Sequence, residues 1–372
     1  MKVQLFCILL WLLMQAIVLL FGGVAGGQDL DREDFTVRCL EVIEKDERGV
    51  ALNYPRAIFY DPFDDETYVV GSGENEIIVF THDFYPVISA GHGRGLKGVR
   101  SGAVTEDNLF FCLGSGAAER NNFLLRYDRA LLPVNKVELK GFPGESDFKP
   151  ERVVVRDGFF YVIGTGNQGL LKFAESGIFI DSIIPHEEVL GVKEEAPIKS
   201  LVIDKDGRLF LLSEVMGRVY VYSQSGKLLF KFGIKGGSSG KLSRPRAIAL
   251  DENMGLVFVV DYMRHAVNVY SLDGKYLFEF GGKGDGRGWF AFPSDICLDG
   301  RDRLWVADTF NSRVQVFKVS RLNSANEKVM SKIEGTNEAA VQSGSGAKVE
   351  IKENLPKSEI PLRREKIEES NL

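Results

Sequence analysis

The sequence predicts an all-β protein, a six-bladed β-propeller of four-stranded antiparallel blades that is closed by an N-terminal strand. Three observations predict this fold. The chain repeats one pattern six times, and each copy consists of short apolar runs separated by turns rich in Gly, Asp and Asn. The composition also suits a large β core, because 44% of the 372 residues are hydrophobic and the chain contains 26 Phe and 40 Gly.

The six copies share one frame. The clearest two are RPRAIALDENMGLVFVVDYMRHAVNVYSLDGKYLFEFG, from Arg244, and FPSDICLDGRDRLWVADTFNSRVQVFKV, from Phe292. The frame also fits segments that begin at Ala196 and Tyr54, and two weaker copies begin at Val99 and Pro150. The equivalent positions are 44 to 52 residues apart, and they are Arg56, Arg100, Arg152, Lys199, Arg246 and Ser294. Six copies at this spacing are typical of propeller blades.

Each copy predicts one four-stranded sheet, with two apolar runs, an alternating run such as RVQVF and a final G-K-x-L-F-x-F-G strand. The sixth copy ends after its third run, because the chain becomes polar beyond Val319. An unassigned strand, Asp34 to Lys45, precedes the first copy. We expect it to pair beside Val314 to Lys318 as the missing outer strand, since an open ring leaves two unpaired edges.

The best copies are similar to NHL repeats. The segments that carry the resemblance are VADTFNSRVQVF and VVDYMRHAVNVY, each preceded by a P-x-x-I-x-x-D pattern. The resemblance covers roughly Asp34 to Val319 and is strong in the last three copies. It implies a propeller used mostly as a scaffold or recognition surface, with a few enzymes among the relatives. The D-x-x-N-x-R turn of Asp308, Asn311 and Arg313 is expected to bridge adjacent blades.

The chain divides into three parts. Residues 1–26 combine a basic start, an apolar run and small residues, which predicts a bacterial-type signal peptide, although an uncleaved membrane anchor stays open. Residues 34–319 form the propeller, and residues 320–372 have the polar composition of a disordered tail. We therefore expect an exported protein, periplasmic or extracellular, whose only membrane contact is the anchor if it is retained.

Charge and cysteine content exclude several classes of function. A formal net charge of -6 argues against nucleic acid as a partner, because phosphate binding needs a cationic excess. Beyond the predicted signal, Cys39, Cys112 and Cys297 show no spacing pattern of a disulfide framework or a zinc site. We expect all three to remain unpaired, since Cys39 and Cys297 lie on the outer and inner strands of one blade.

A basic ring is the candidate site. In a four-stranded blade the inner strand begins on the face where the second strand ends, here called the mouth face. Five of the six copies carry a cation at that start, and symmetry should gather the five at the channel mouth: Arg56, Arg100, Arg152, Lys199 and Arg246. His265, expected to be the most exposed histidine on this face, completes the candidate binding residues. The predicted ligand is acidic, either a protein partner or an acidic polymer of the cell envelope.

Two alternatives remain open. The ring is scaffolding if its cations pair individually with nearby acids, of which Glu74, Glu119, Glu214, Asp261 and Asp308 are the candidates. Metal-dependent propeller enzymes, either amidating lyases with zinc or lactonases with calcium, are the second alternative. The four histidines do not recur at equivalent positions, and the inner-strand positions are mainly cationic or apolar. The sequence therefore predicts a non-catalytic binding or scaffold propeller without a cofactor.

Overall fold

The computed structural model describes residues 35–71, 77–114, 122–166, 169–189 and 191–321. These residues form twenty-six β-strands and two short 3-10 turns, η1 (His92–Arg94) and η2 (Thr309–Asn311). The predicted signal peptide and all but the first two residues of the predicted tail lie outside the described residues. Within the described ranges, no helix has the length and apolar character needed to cross a membrane.

The described residues form six four-stranded antiparallel sheets that follow one another along the chain. In the first five sheets, the strands lie in chain order from the innermost to the outermost. One strand, β1 (Phe35–Ile43), precedes them. The first three sheets contain β2 (Ala57–Asp61), β3 (Glu66–Val70), β4 (Ile77–Thr81), β5 (Pro86–Ala90), β6 (Val99–Val104), β7 (Asn108–Leu113), β8 (Phe123–Asp128), β9 (Pro133–Glu138), β10 (Lys149–Arg156), β11 (Phe159–Thr165), β12 (Leu170–Ala174) and β13 (Phe179–Ile183).

The next segment is a two-stranded hairpin, β14 (His186–Val189) and β15 (Val192–Glu195). The last three sheets contain β16 (Ser200–Ile203), β17 (Leu209–Ser213), β18 (Arg218–Tyr222), β19 (Leu228–Phe232), β20 (Pro245–Asp251), β21 (Leu256–Asp261), β22 (Ala266–Ser271), β23 (Tyr276–Gly281), β24 (Asp295–Leu298), β25 (Arg303–Asp308) and β26 (Arg313–Arg321). The repeat frame does not predict the hairpin, because its strands are mostly charged and lack an alternating apolar face.

The ring is closed as the sequence predicts. The sixth sheet has the order β1-β26-β25-β24, so the N-terminal strand supplies its outer edge. Alternate side chains of β1 are buried, among them Val37 and Cys39, and the Cys39 thiol lies 3.7 Å from the Gln315 side-chain oxygen on β26. Inner strands of neighbouring sheets contact one another in the order β2, β6, β10, β16, β20, β24 and back to β2. These sheets are the six blades of a propeller.

The core lies between the blades. In β7, Phe110 packs in the cluster shared with the third blade, whereas its neighbour Phe111 packs in the cluster shared with the first. Successive side chains of a strand point to opposite faces, so a central strand that is covered on both faces must be apolar throughout. This requirement explains the continuous apolar runs of the second strands, such as residues 256–260 of β21, which are all apolar and buried.

The cysteine prediction is confirmed for the described residues, because Cys39, Cys112 and Cys297 form no disulfide. Cys39 and Cys297 lie on β1 and β24, the outer and inner strands of the sixth blade, and Cys112 belongs to the second blade. Burial raises the pKa of all three thiols above their ordinary value. They therefore remain protonated and inert at neutral pH.

The closure can be tested on β1 with two matched substitutions. Val37 is 2% exposed, whereas the adjacent Arg38 points to solvent. Val37→Asp should lower the free energy of unfolding by about 3 kcal/mol or more, because it buries a carboxylate without a partner. Arg38→Asp should change it by less than about 0.5 kcal/mol. Urea unfolding measures both, and equal effects of the two variants would contradict the closure.

Candidate functional site

The five predicted cations lie at the starts of the inner strands. In three blades the inner strand carries a β-bulge there, between Val99 and Ser101, between Pro150 and Arg152, and between Pro245 and Ala247. A bulge bends a strand and re-aims a side chain. Arg100 and Arg246 occupy such bulge positions, which explains why these side chains leave the inter-blade core.

These positions converge on one cavity of about 290 Å³ at the centre of the mouth face. Its lining contains all five cations and the sixth equivalent residue, and it consists of Arg56, Arg100, Glu151, Arg152, Lys199, Arg246, Tyr262, Ser294, Thr309 and Phe310. The structure thus brings together the residues that the repeat spacing singles out. Their role in binding stays a prediction. Among the ten lining residues the only carboxylate is Glu151.

One ring cation is held by an acid from the opposite side of the ring. The Arg152 guanidinium donates to Asp295 at 2.7 Å, and Asp295 is fully buried. Arg152 belongs to the third blade and Asp295 to the sixth, so this ion pair spans the channel. The second oxygen of Asp295 accepts the backbone N–H of Ile58 in the first blade, at 2.9 Å. Asp295 therefore connects three blades around the cavity.

Two further ring cations are paired with carboxylates. Lys199 lies 3.0 Å from Glu151, which precedes Arg152 on the third blade. Arg246 lies 3.4 Å from Glu214, and Glu214 also pairs with Arg244. Individual pairing, which the scaffolding alternative requires, is therefore observed for these cations, although only Glu214 was among the acids expected to pair. The cavity lining nevertheless carries five cations and one carboxylate, so it is basic as a whole.

Arg100 is the exposed member of the ring. Its guanidinium lies against Gly114, where an added Cβ would come within 2.5 Å of the Arg100 Nε atom. Glycine at the end of this second strand therefore leaves the space that Arg100 occupies. In the fifth and sixth blades, the corresponding positions are Asp261 and Asp308.

Asp261 and Asp308 do not pair with the ring, contrary to the scaffolding alternative. Asp261 accepts the backbone N–H groups of Ser243 and Arg244 at 2.6 and 3.0 Å. Asp308 accepts the N–H of Ala291 at 2.7 Å in the same way. Asp261 thus holds the loop that precedes the fifth blade, and Asp308 holds the loop that follows it. The other two suggested partners, Glu74 and Glu119, lie outside the described residues.

The D-x-x-N-x-R turn bridges blades as expected. Arg313 donates to Asp308 at 2.7 Å and to the backbone oxygens of Asp285, Gly286 and Trp289 at 2.6 to 3.0 Å. The Asn311 amide donates to the Gly284 carbonyl at 2.9 Å. These contacts hold the loop between the fifth and sixth blades against the sixth, so the turn is structural.

The prediction that His265 is exposed is wrong. It is 8% exposed, its Nδ1 accepts the Phe292 backbone N–H at 3.0 Å, and its ring packs 4.4 Å from that of Phe292. Its backbone is left-handed, with φ of 56°, which turns the side chain inwards. The pKa of His265 is lowered, chiefly because burial disfavours the imidazolium and secondarily because of Lys283. His265 does not line the cavity and is not part of the candidate site.

The sequence pattern did not predict an aromatic cluster at the cavity rim. Phe310 lines the cavity, is 54% exposed, and contacts the rings of Tyr54, Tyr262 and Phe292 at centroid distances of 5.7, 6.5 and 5.0 Å. The sequence does contain a signal for this cluster, because these residues directly follow the aspartates that end two second strands. Tyr262 follows Asp261, and Thr309 and Phe310 follow Asp308. The inner-strand frame alone did not include these positions.

No convergence of histidines supports the zinc alternative among the described residues, since His82, His92, His186 and His265 belong to four separate segments. Three carboxylates, Asp61, Asp64 and Glu66, do lie close enough together to hold a cation. They are on the face opposite the mouth, and the Arg129 guanidinium already contacts Asp61 and Asp64. This guanidinium offsets part of the negative charge of the cluster and occupies two of its three carboxylates.

Known proteins resemble the chain mainly in fold. Residues 290–317 match the NHL repeat, and residues 189–279 match a family described as a 6-bladed beta-propeller. No curated protein matches the sequence. Similar solved structures include a protein of unknown function from Bacteroides thetaiotaomicron VPI-5482, with 16% identity over 77% of this chain and 76% of that chain and a TM-score of 0.57.

An auxiliary nutrient binding protein from the same organism is 13% identical over 77% of both chains, with a TM-score of 0.57. Streptogramin B lyase is 11% identical over 77% of this chain and 98% of its own, with a TM-score of 0.54. At these identities the likeness shows the fold alone.

The ion pair across the channel predicts a stability effect. Asp295→Asn keeps an acceptor for the Ile58 N–H but leaves Arg152 without its counter-charge. We expect the free energy of unfolding to fall by about 2 kcal/mol. Asp302→Asn on the same blade should change it by less than about 0.5 kcal/mol, because Asp302 is half-exposed and lies 3.7 Å from Lys318. Urea unfolding at neutral pH compares them, and an unchanged Asp295→Asn variant contradicts the assignment.

His265 predicts a pH dependence of stability. Its ordinary pKa of 6.5 is lowered in the folded protein. The unfolded chain therefore binds the proton more readily than the folded protein does. The contribution of His265 to the free energy of unfolding is complete above pH 6.5, and it is lost as the pH falls from 6.5 towards the lower pKa of the folded protein. His265→Asn, which suits a left-handed backbone, should lose less stability than the native protein between about pH 7 and pH 5.5. Equal losses in urea titrations would refute this role.

Proposed function

We propose that this chain, a six-bladed β-propeller with NHL repeats, is a non-catalytic binding module that recognises an acidic ligand or partner at the cavity on its mouth face. One observation carries the proposal: five cations from five blades line a single cavity. Such a cluster in a protein of net charge -6 requires a reason. Like charges repel when they are gathered, and this cost is recovered when an anion binds between them.

The arrangement of the acids supports an anion site better than pure scaffolding. Asp295, Glu151 and Glu214 hold three of the cations in place, and the exposed Arg100 has no carboxylate within 4 Å among the ion pairs of the described residues. Fixed side chains lose little conformational entropy when a ligand binds. The paired cations thus form a rigid wall, and the exposed Arg100 supplies the accessible charge.

The proposed setting is the cell envelope or the exterior of the cell, and its support is the signal peptide predicted in residues 1–26. The fold itself does not choose between binding and catalysis, because the similar structures are described as a lyase in one case and as a nutrient binding protein in another. The charged lining supports binding. A cationic channel repels the divalent metals that the enzyme alternative needs.

Arg100 provides the most direct test. Arg100→Gln removes one accessible charge and keeps most of the side-chain volume, whereas Arg301→Gln removes a half-exposed arginine from the opposite face. With citrate, phosphate and oligogalacturonate as anionic probes, Arg100→Gln should weaken binding about five- to tenfold at low salt and reduce its salt dependence. Arg301→Gln should leave binding unchanged. Isothermal titration calorimetry at two salt concentrations gives both quantities.

Three results would contradict the proposal: no anion binds, both arginine variants lose affinity equally, or the purified protein contains stoichiometric zinc or calcium. The last result would favour the metal-dependent enzyme. The fold of each variant is checked by its urea midpoint, which should be unchanged because both arginines are exposed.

A further inference from the structure

Phe310 is placed in an unusual way for an apolar side chain. It sits in η2 at the rim of the cavity with 54% of its surface exposed. Its backbone N–H donates to the Ala291 carbonyl at 3.0 Å, which fixes the start of the side chain. The rings of Tyr54, Tyr262 and Phe292 surround it at inclined angles of 80, 76 and 61°. The ring is therefore held in one orientation while more than half of it faces solvent.

Exposed aromatic surface next to a polar cavity indicates a contact with a ligand. Tyr54 is also half-exposed, at 49%, but it is not among the residues that line the cavity. Tyr262 is less available, because the guanidinium groups of Arg244 and Arg246 lie 5.6 and 5.0 Å from its ring centre. Phe310 is thus the ring best placed to receive a flat apolar surface beside the cations.

Two hydroxyl groups belong to the same cavity lining as Phe310 and the cations. The Thr309 hydroxyl lies 2.8 Å from the Pro55 carbonyl and 2.7 Å from the Ser294 hydroxyl, and Ser294 lies 3.2 Å from the Arg56 carbonyl. One hydroxyl donates to the other and the second donates to a backbone carbonyl, so three lone pairs of the two oxygens remain as acceptors for hydroxyl donors of a ligand. The cavity thus combines a stacking surface, hydrogen-bond acceptors and cations within about 290 Å³.

We propose that the ligand is a carboxylated sugar residue of the hexuronate type, which stacks its apolar ring face on Phe310 and places its carboxylate at Arg100. This inference rests on the proposed function and names its ligand class. A pyranose ring offers C–H groups on one face, hydroxyl donors at its rim and, in a uronate, one planar carboxylate that matches a guanidinium fork. Ligand cavities in proteins usually measure about 300 to 1,000 Å³. This cavity, of about 290 Å³, lies at the small end of that range and therefore suits one such ring.

The experiment uses two probes of equal charge, trigalacturonate and citrate, each with three carboxylates, of which only the first carries sugar rings. Trigalacturonate should bind about tenfold or more tightly than citrate. Phe310→Ala should lower the affinity for trigalacturonate about tenfold and leave that for citrate unchanged, because it removes the stacking surface and no charge. Phe310→Tyr should retain the affinity for trigalacturonate. Calorimetry on the full chain at low salt measures all of these values.

The matched control is Phe63→Ala. Phe63 is 53% exposed in the turn between β2 and β3 on the opposite face, so it undergoes the same chemical change at the same exposure. It should affect neither probe. Equal affinities for the two probes, equal effects of the two alanine variants, or tighter binding of an acidic peptide such as pentaglutamate would each overturn the sugar assignment.

The outcomes also separate this inference from the proposed function. If citrate binds in a manner that depends on Arg100 while trigalacturonate binds no better, the sugar assignment fails and the anion site stands. If neither probe binds, the anion site itself fails. Phe310→Ala should lower the urea midpoint slightly, because it removes the contacts with three aromatic rings, and both alanine variants should remain fully folded under the conditions of the titration.

Discussion

Closure of the ring is the constraint on which the rest of the structure depends. The sixth blade obtains its outer strand from β1, at the other end of the folded chain, and this pairing removes the two edges that an open ring would expose. Once the ring is closed, the starts of six inner strands must meet around one axis. Any residue type that the repeat carries at this start is therefore concentrated at the channel mouth, and here that type is a cation.

Concentrated charge then requires local compensation, and the structure provides it unevenly. Asp295 reaches Arg152 across the channel, and Glu151 and Glu214 hold Lys199 and Arg246. Arg100 of the second blade, whose guanidinium lies against Gly114, is the exposed cation of the ring. Departures from the repeat thus create an asymmetric site within a nearly symmetric ring, with charge at the second blade and the aromatic rim at the sixth.

Periodicity in the sequence predicted the blades, the closing strand and the convergence of the five cations, because each of these features repeats with the blade. It did not predict the Arg152–Asp295 pair, because two residues 143 positions apart in different blades meet only through the ring geometry. It placed His265 on the surface, since no local pattern signals the left-handed backbone that turns this ring inwards. The hairpin β14–β15 lies between two blades, where the repeat does not constrain the conformation, and Phe310 occupies a variable position of the D-x-x-N-x-R turn, where the repeat does not constrain the side chain.

A crystal structure of the protein with trigalacturonate at low ionic strength tests the central claim most directly. We expect a carboxylate of the ligand within hydrogen-bond distance of the Arg100 guanidinium, about 2.7 to 2.9 Å, and a sugar ring against Phe310 in the mouth-face cavity. A ligand bound on the opposite face or along the outer strands, with the cavity holding only solvent, would contradict the assignment of the basic ring as the recognition site.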